Sequence, residues 1–456
     1  MKTLNTPSRN VLLTFALLTV GFSAAAQQGE MQYYRPNDKT GINVFETTKG
    51  DTTSFHKMHV KVGGNFEQSF QSLQNKNTAL PMTETGFTGN VNSVEQLTDG
   101  FDLAMANLNI DAQLSDGIRV NLTTYLASRH HEDTWVKGGY IQFDKLLFMR
   151  SRLIDTLMKS FTIKIGQFDV DYGDQHFRRT DGGNTIYNPF IENYIMDEFA
   201  TEIGGEIYYH NKSGVFAMGG LTNGELDPTA IAAAKIDSAT GATNHYAAAI
   251  HGKLGYDKQV TKDFRIRLTG SFYVDHSANS NTLFGGDRTG SHYFYVMENA
   301  NIAKGTTLSD ENDYSPFSGR LNPGFTEEVN TYMANLFLKY KGLEFFGTYE
   351  SAKGRTITEF TQRKATQSAF DLIYRFPEHK ENFWIGFRYN TVNAALQGYA
   401  SNITVQREAA SAGWFLTRNI MLKAEYVNQA YLGYPANNIL NGGRFYGTVV
   451  EASIAF

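Results

Sequence analysis

The chain ends in a segment, Arg444 to Phe456, that alternates apolar with small or polar residues and closes on phenylalanine. Successive side chains of a strand point to opposite faces. Tyr446, Thr448, Val450, Ala452, Ile454 and Phe456 therefore share one face, and Phe445, Gly447, Val449, Glu451, Ser453 and Ala455 the other. The first face suits lipid and the second, with its glutamate and serine, suits water. This is the pattern of a strand closing a membrane barrel.

The other end of the chain points the same way. Lys2 and Arg9 precede an apolar run from Val11 to Phe22, and Ala24-Ala25-Ala26 supplies small residues for cleavage, so 1–26 reads as a secretory signal peptide with Gln27 as the mature start. The run is too short for a membrane helix, and no later stretch approaches the roughly 18–20 apolar residues that one needs. With no cysteine, a lipid-anchored terminus, a disulfide framework and a thiolate metal site are all excluded. Net charge is −5, and loss of Lys2 and Arg9 makes the mature chain more negative, which excludes bulk attraction to nucleic acid. A mean hydropathy of −0.36 is compatible with a membrane barrel, because such a barrel needs only one thin lipid-facing band.

Two-residue alternation recurs along the mature chain, as in Ala104-Ala106-Leu108-Ile110-Ala112 and Phe264-Ile266-Leu268-Gly270-Phe272. Taking all such segments predicts strands at 58–71, 101–114, 118–128, 135–145, 161–169, 201–210, 214–221, 245–256, 263–275, 328–340, 343–351, 365–376, 383–392, 402–416, 420–428 and 444–456. The expected fold is therefore an all-β, antiparallel, up-and-down transmembrane barrel of about sixteen strands, in bacteria an outer-membrane architecture. Connections after even-numbered strands are short and those after odd-numbered strands mostly long, so the long ones (72–100, 170–200, 222–244, 276–327) are outer loops. Tyr293 to Met297, though apolar, belongs to the fifth outer loop, since a strand there would break parity. The exceptional inner connection, 146–160, spaces its leucines for a short helix capping the barrel mouth. Residues 27–55 read as a flexible periplasmic lead-in.

Sixteen strands enclose more space than wall side chains fill, so the third outer loop is a candidate constriction. Lys164-Ile165-Gly166-Gln167-Phe168 ends a strand and leads into Asp169-Val170-Asp171-Tyr172-Gly173-Asp174-Gln175-His176-Phe177-Arg178-Arg179. Here the chain resembles the phosphate-selective porin O and P family, whose third loop follows a Gly-Gln-Phe element. The terminal Phe456 matches too and resembles the assembly signal of outer-membrane proteins, which implies the barrel-assembly machinery as a partner. The resemblance implies a homotrimer in outer-membrane lipid, passing small solutes with anions favoured. Arg178 and Arg179 would be the attracting residues, with His176 and Asp174 beside them as further constriction candidates. The sequence departs from the family in flanking these arginines with Asp169, Asp171, Asp174 and Asp181. Structural pairing with those aspartates is the competing reading.

Lys164, Arg119, Arg265, Arg267 and Arg388 fall on polar strand faces and are expected on the lumen wall, where ion pairing with wall carboxylates competes with a selectivity role. Tyr140, Trp384, Tyr389, Tyr426 and Tyr446 are expected in the interfacial girdles. His130-His131-Glu132-Asp133 offers metal-ligand chemistry, but adjacent hairpin residues point apart, so no metal site and no cofactor is expected. His210 and His251 lie on polar faces without a nucleophile nearby in sequence, and no catalytic motif is present. A diffusion channel is the leading reading. A plugged barrel for adhesion, secretion or fatty-acid uptake and a barrel enzyme are the alternatives.

Overall fold

In the last strand alternation becomes burial: Phe445, Val449, Glu451, Ser453 and Ala455 turn inward, while Val450 and Ile454 are exposed. The computed structural model describes residues 30–83, 89–102, 105–126, 134–180, 185–226, 234–239, 241, 243–245, 247–278, 280–285, 292–300 and 319–456. Residues 1–26, read above as a signal peptide, together with Asp181 and the segment His130 to Asp133, lie outside the described residues.

The wall consists of β1 (His59–Lys76), β2 (Met105–Ser115), β3 (Ile118–Leu126), β4 (Trp135–Phe143), β5 (Phe161–Asp169), β6 (Thr201–His210), β7 (Val215–Thr222) and β8 (Ala249–Gln259). It continues with β9 (Phe264–Asp275), β10 (Glu328–Tyr340), β11 (Leu343–Arg355), β12 (Arg363–Phe376), β13 (Phe383–Ala394), β14 (Ile403–Phe415), β15 (Ile420–Leu432) and β16 (Arg444–Ala455). Each strand pairs antiparallel with the next, and β1 pairs with both β2 and β16, so the sheet closes. A short piece, Gly100–Phe101, also pairs with β1, and a separate hairpin joins Ala234–Ile236 to Thr243–His245. The fold is thus a closed all-β barrel of sixteen staves, and each predicted strand overlaps one of them. Tyr293 to Met297 is loop, as parity required.

The turn Asp116-Gly117 shows how sequence sets such a connection. Gly117 has φ +75° and a Cβ there would lie 2.5 Å from Lys145 Cβ, so this Asp-Gly turn needs its glycine. The inner connection after β4 contains a helix, Arg152–Leu157, but does not cap the mouth with its apolar residues. Leu147, Phe148, Met149, Leu153 and Leu157 are all exposed, while Met158 is buried.

Outward residues form the apolar belt: Val62, Phe66, Ile110, Ile165, Ile207, Leu254, Leu268, Leu372, Ile385 and Val450 are exposed on the wall. Aromatic rims bound it. On β10, Tyr332 and Tyr340 are 61% and 56% exposed; eight strand residues span about 27 Å, which a tilt of roughly 40° reduces to about 20 Å, near the height of a bilayer-spanning band. At the inner rim Tyr374, Phe376, Phe383 and Trp414 stack in a row with successive centroids 5.8 Å apart. Tyr426 is exposed as a girdle residue should be, and Tyr389 and Tyr446 are half-buried. Tyr140 and Trp384 depart from that expectation. Tyr140 lines an internal cavity, and Trp384 is buried against Phe415, its ring filling the space that Gly413 leaves free.

Candidate functional site

The described residues of the third loop, 170–180 and 185–200, fold into the lumen. Gly173 makes the entry: its φ is +68°, a conformation that favours glycine, and the thioether of Met333 packs over the position a Cβ would take. Beyond it the loop lies against the inner faces of β8 to β15. Tyr172 Oη donates to Glu350 (2.8 Å), and Asp174 accepts from Arg267 and Lys253. Main-chain N–H groups of Ile191, Ile195 and Met196 donate to Glu425, Asn390 and Gln367 at 2.7–2.9 Å. Its carbonyls accept in turn from Arg388, Arg407 and Lys423. Such buried backbone groups must find partners, and the polar wall residues supply them.

The lead-in also differs from expectation. From Gln32 onward it packs inside the barrel floor instead of trailing away. Asn37 Nδ2 donates to the carbonyls of Gly64 and Phe456 at 3.0 and 3.2 Å, and the Lys39 N–H donates to Arg418 O at 2.9 Å. Phe45 sits edge-on between Phe177 of the third loop and Phe337 of β10, and Glu46 pairs with Lys253 and Arg267. Tyr33, Tyr34, Ile42, Val44 and Phe45, apolar and aromatic residues within this mainly polar stretch, were the available signal.

Between these two segments and the opposite wall, β2 to β6, lies a cavity of about 280 Å³. Its charged lining comprises Arg35, Arg119, Lys137 and Lys164 against Glu46, Asp111, Asp169 and Asp171, with His176 also facing it. Arg119 bonds Asp111 at 2.9 Å and Gln142 at 3.0 Å, and Lys164 is 3.2 Å from Glu206. Tyr34 and Tyr140 flank Arg119 and Lys164 at 5.0–5.8 Å. Lys137 escaped the strand alternation because of a bulge: Thr123 pairs with Gly138 and Thr124 with Val136, so Lys137 is the extra residue and turns inward.

Of the four constriction candidates, His176 faces the cavity and the other three do not line it. Asp174 is fully buried in its pairing with Arg267 and Lys253; burial alone would raise its carboxyl, but the two cations hold it well below the usual range. Arg179 pairs with Asp197 at 2.5 Å, an aspartate outside the four that flank the arginines in sequence. Arg178 lies over the Phe346 ring at 4.7 Å, and burial lowers its guanidinium despite Asp371 and Glu344 nearby. Burial and Lys253 push the His176 imidazole down to about 3, so it is neutral at ordinary pH.

Among the wall candidates, Arg119 and Lys164 face the cavity. Arg265 chelates Asp257 at 2.7–2.8 Å, Arg267 holds Asp174, and Arg388 grips Asp371 at 2.7 and 2.9 Å. Phe456 ends the closing strand, its N–H donating to Gly64 O at 2.9 Å. His251 lies 3.0 Å from Glu206, and His210 stacks on Phe216.

Fold, belt and obstructed lumen define a transmembrane barrel. No protein-family model matches this chain, and no curated protein does. Solved structures are similar in fold: an anion-selective porin from Comamonas acidovorans (10% identity, TM-score 0.49, 88% of this chain and 100% of that one) and in-vitro folded OmpT, an outer membrane protein of Vibrio cholerae (9%, 0.47, 88% and 99%). The outer membrane channel DcaP of Acinetobacter baumannii is a third (11%, 0.45, 88% and 98%). At these identities the likeness concerns the fold alone.

Proposed function

We propose that this chain is an outer-membrane porin through which small hydrophilic solutes diffuse passively along the β2–β6 wall. The observation that carries this is the cavity of about 280 Å³, polar and doubly charged, beside an inward-folded third loop. Fixed charges there would select ions. Arg119, Lys137 and Lys164 occupy the wall side together with Asp111 and Asp169, and Arg35, Glu46 and Asp171 face them from the lead-in and the loop. Because the two signs balance, we read the selectivity as weak, with any anion preference, phosphate included, resting on the wall cations Arg119, Lys137 and Lys164. Planar-bilayer recording of the refolded mature chain in a potassium chloride gradient tests it. Stepwise conductance with a small anion-directed reversal potential is expected; a silent, folded barrel would exclude a porin.

A plugged barrel is the second reading. It is favoured by how much of the lumen is filled: beside the third loop and the lead-in, Tyr293, Val296 and Met297 of the fifth loop are buried there. The proposed homotrimer has a surface on which a second copy would seat, a depression on the outside of β6 to β9 where Gly205, Gly219, Gly252 and Gly270 interrupt the bulky belt. Native mass spectrometry from detergent reads the copy number. Assembly through the Phe456 strand is tested by deleting that residue and measuring barrel yield in the outer membrane.

A further inference from the structure

Glu67, His292 and Glu451 converge where the barrel closes. Glu67 lies on β1 and Glu451 on β16; the register pairs Glu67 with Ser453 and Ser69 with Glu451, so the carboxylates sit diagonally across the closing seam. The fifth outer loop brings His292 between them, with Nε2 3.0 Å from Glu67 Oε1 and 3.1 Å from Glu451 Oε2. All three residues are buried, at 3%, 1% and 0% exposure. They come from three distant parts of the chain, which is why no sequence motif marks them.

A proton alone serves this geometry poorly. Nε2 carries at most one hydrogen, and it cannot aim at two carboxylates at once. Neither oxygen of Glu67 nor Oε2 of Glu451 accepts a well-formed hydrogen bond from any described residue, although buried carboxylates ordinarily collect several; Oε1 of Glu451 is taken by Lys423. A divalent cation satisfies all three groups together. With metal–ligand bonds of about 2.1 Å, neighbouring ligands at right angles stand about 3.0 Å apart, close to the separations found. One imidazole nitrogen and two carboxylates suit zinc, manganese, iron or cobalt, and the carboxylates cancel the ion's charge. Lys423 acts as an orienting group. Its Nζ lies 2.9 Å from Glu451 Oε1 and donates to the carbonyls of Asn188 and Phe190 at 3.2 and 2.8 Å. That leaves Glu451 Oε2 directed at the site.

We propose that Glu67, His292 and Glu451 bind one divalent first-row transition-metal ion, which staples the fifth outer loop to the closing seam of the barrel. The site is independent of whether the lumen conducts. The test is titration of the metal-free, folded, mature barrel in detergent with cobalt(II), reading visible d–d absorption and cobalt retained per barrel after gel filtration. One retained cobalt is expected in the unaltered protein and none in Glu67→Gln or His292→Gln. Folding is checked by the electrophoretic mobility of unheated samples. Should His292→Gln fail to fold, Glu67→Gln, which keeps the side-chain volume, decides alone. No cobalt uptake by the folded unaltered barrel, or equal uptake by a folded variant, would overturn the proposal.

Discussion

Asp174 accepts both arms of Arg267, Nε at 2.8 Å and Nη2 at 2.7 Å, with Thr269 Oγ1 adding a third bond at 2.9 Å. One residue belongs to the third loop and the other to β9, so this buried pair fixes the loop to the wall. Removing one partner of a buried ion pair costs about 3–5 kcal/mol, with Lys253, 3.2 Å from Asp174, offsetting part of the loss. Arg267→Ala is expected to destabilise the barrel by that order and to open the third loop to protease before the wall unfolds. Cleavage no faster than in the parent would mean that the loop is anchored elsewhere.

Charge removal at the cavity should outweigh charge reversal behind it. Arg119→Gln with Lys164→Gln takes two positive charges from the lining, and the reversal potential in a salt gradient is expected to move toward cations. Arg178→Glu with Arg179→Glu, at residues buried away from the cavity, is expected to loosen the loop and shift the potential less. The reverse ranking would place the constriction at the arginine pair.

His176 makes an acid-side prediction. Its imidazole is lowered from 6.5 to about 3, first by burial and then by Lys253. Below pH 6.5 the unfolded chain takes up a proton that the folded chain refuses until near pH 3, so stability present above 6.5 falls as pH drops through that window. His176→Gln is expected to recover up to a few kcal/mol at pH 4 and nothing at pH 7. It should leave ion selectivity unchanged between pH 7 and 5, because the imidazole is neutral throughout. Chemical denaturation at the two pH values, with reversal potentials, measures both.

The lead-in blocks part of the floor. Deleting 30–55 removes Phe45 and Glu46 from the third loop's surroundings while leaving β1, which starts at His59, intact. Higher single-channel conductance in a barrel that still folds is the expected result. Unchanged conductance would place the lead-in outside the permeation path.

Much of this was legible in the chain itself. The strands could be read because a membrane wall imposes a two-residue period on every stave, and parity then sorted the connections and kept Tyr293 to Met297 out of the wall. The ion pairing of Arg388 with Asp371 and of Arg119 with Asp111 was also foreseeable, since opposite charges on one inward face meet across neighbouring strands. Local deviations were not: the bulge that turns Lys137 inward breaks the period by a single residue.

What alternation alone determined, then, is the wall: strand number, which face meets lipid, and which loops are long. Only the tertiary structure decided what fills the lumen. Whether Arg178 meets solute or the Phe346 ring, whether 30–55 trails or plugs, and whether Glu67, His292 and Glu451 meet all depend on contacts between segments far apart in the chain. Periodicity is a property of neighbours along a strand, and it carries no information about which distant loop folds in against that strand.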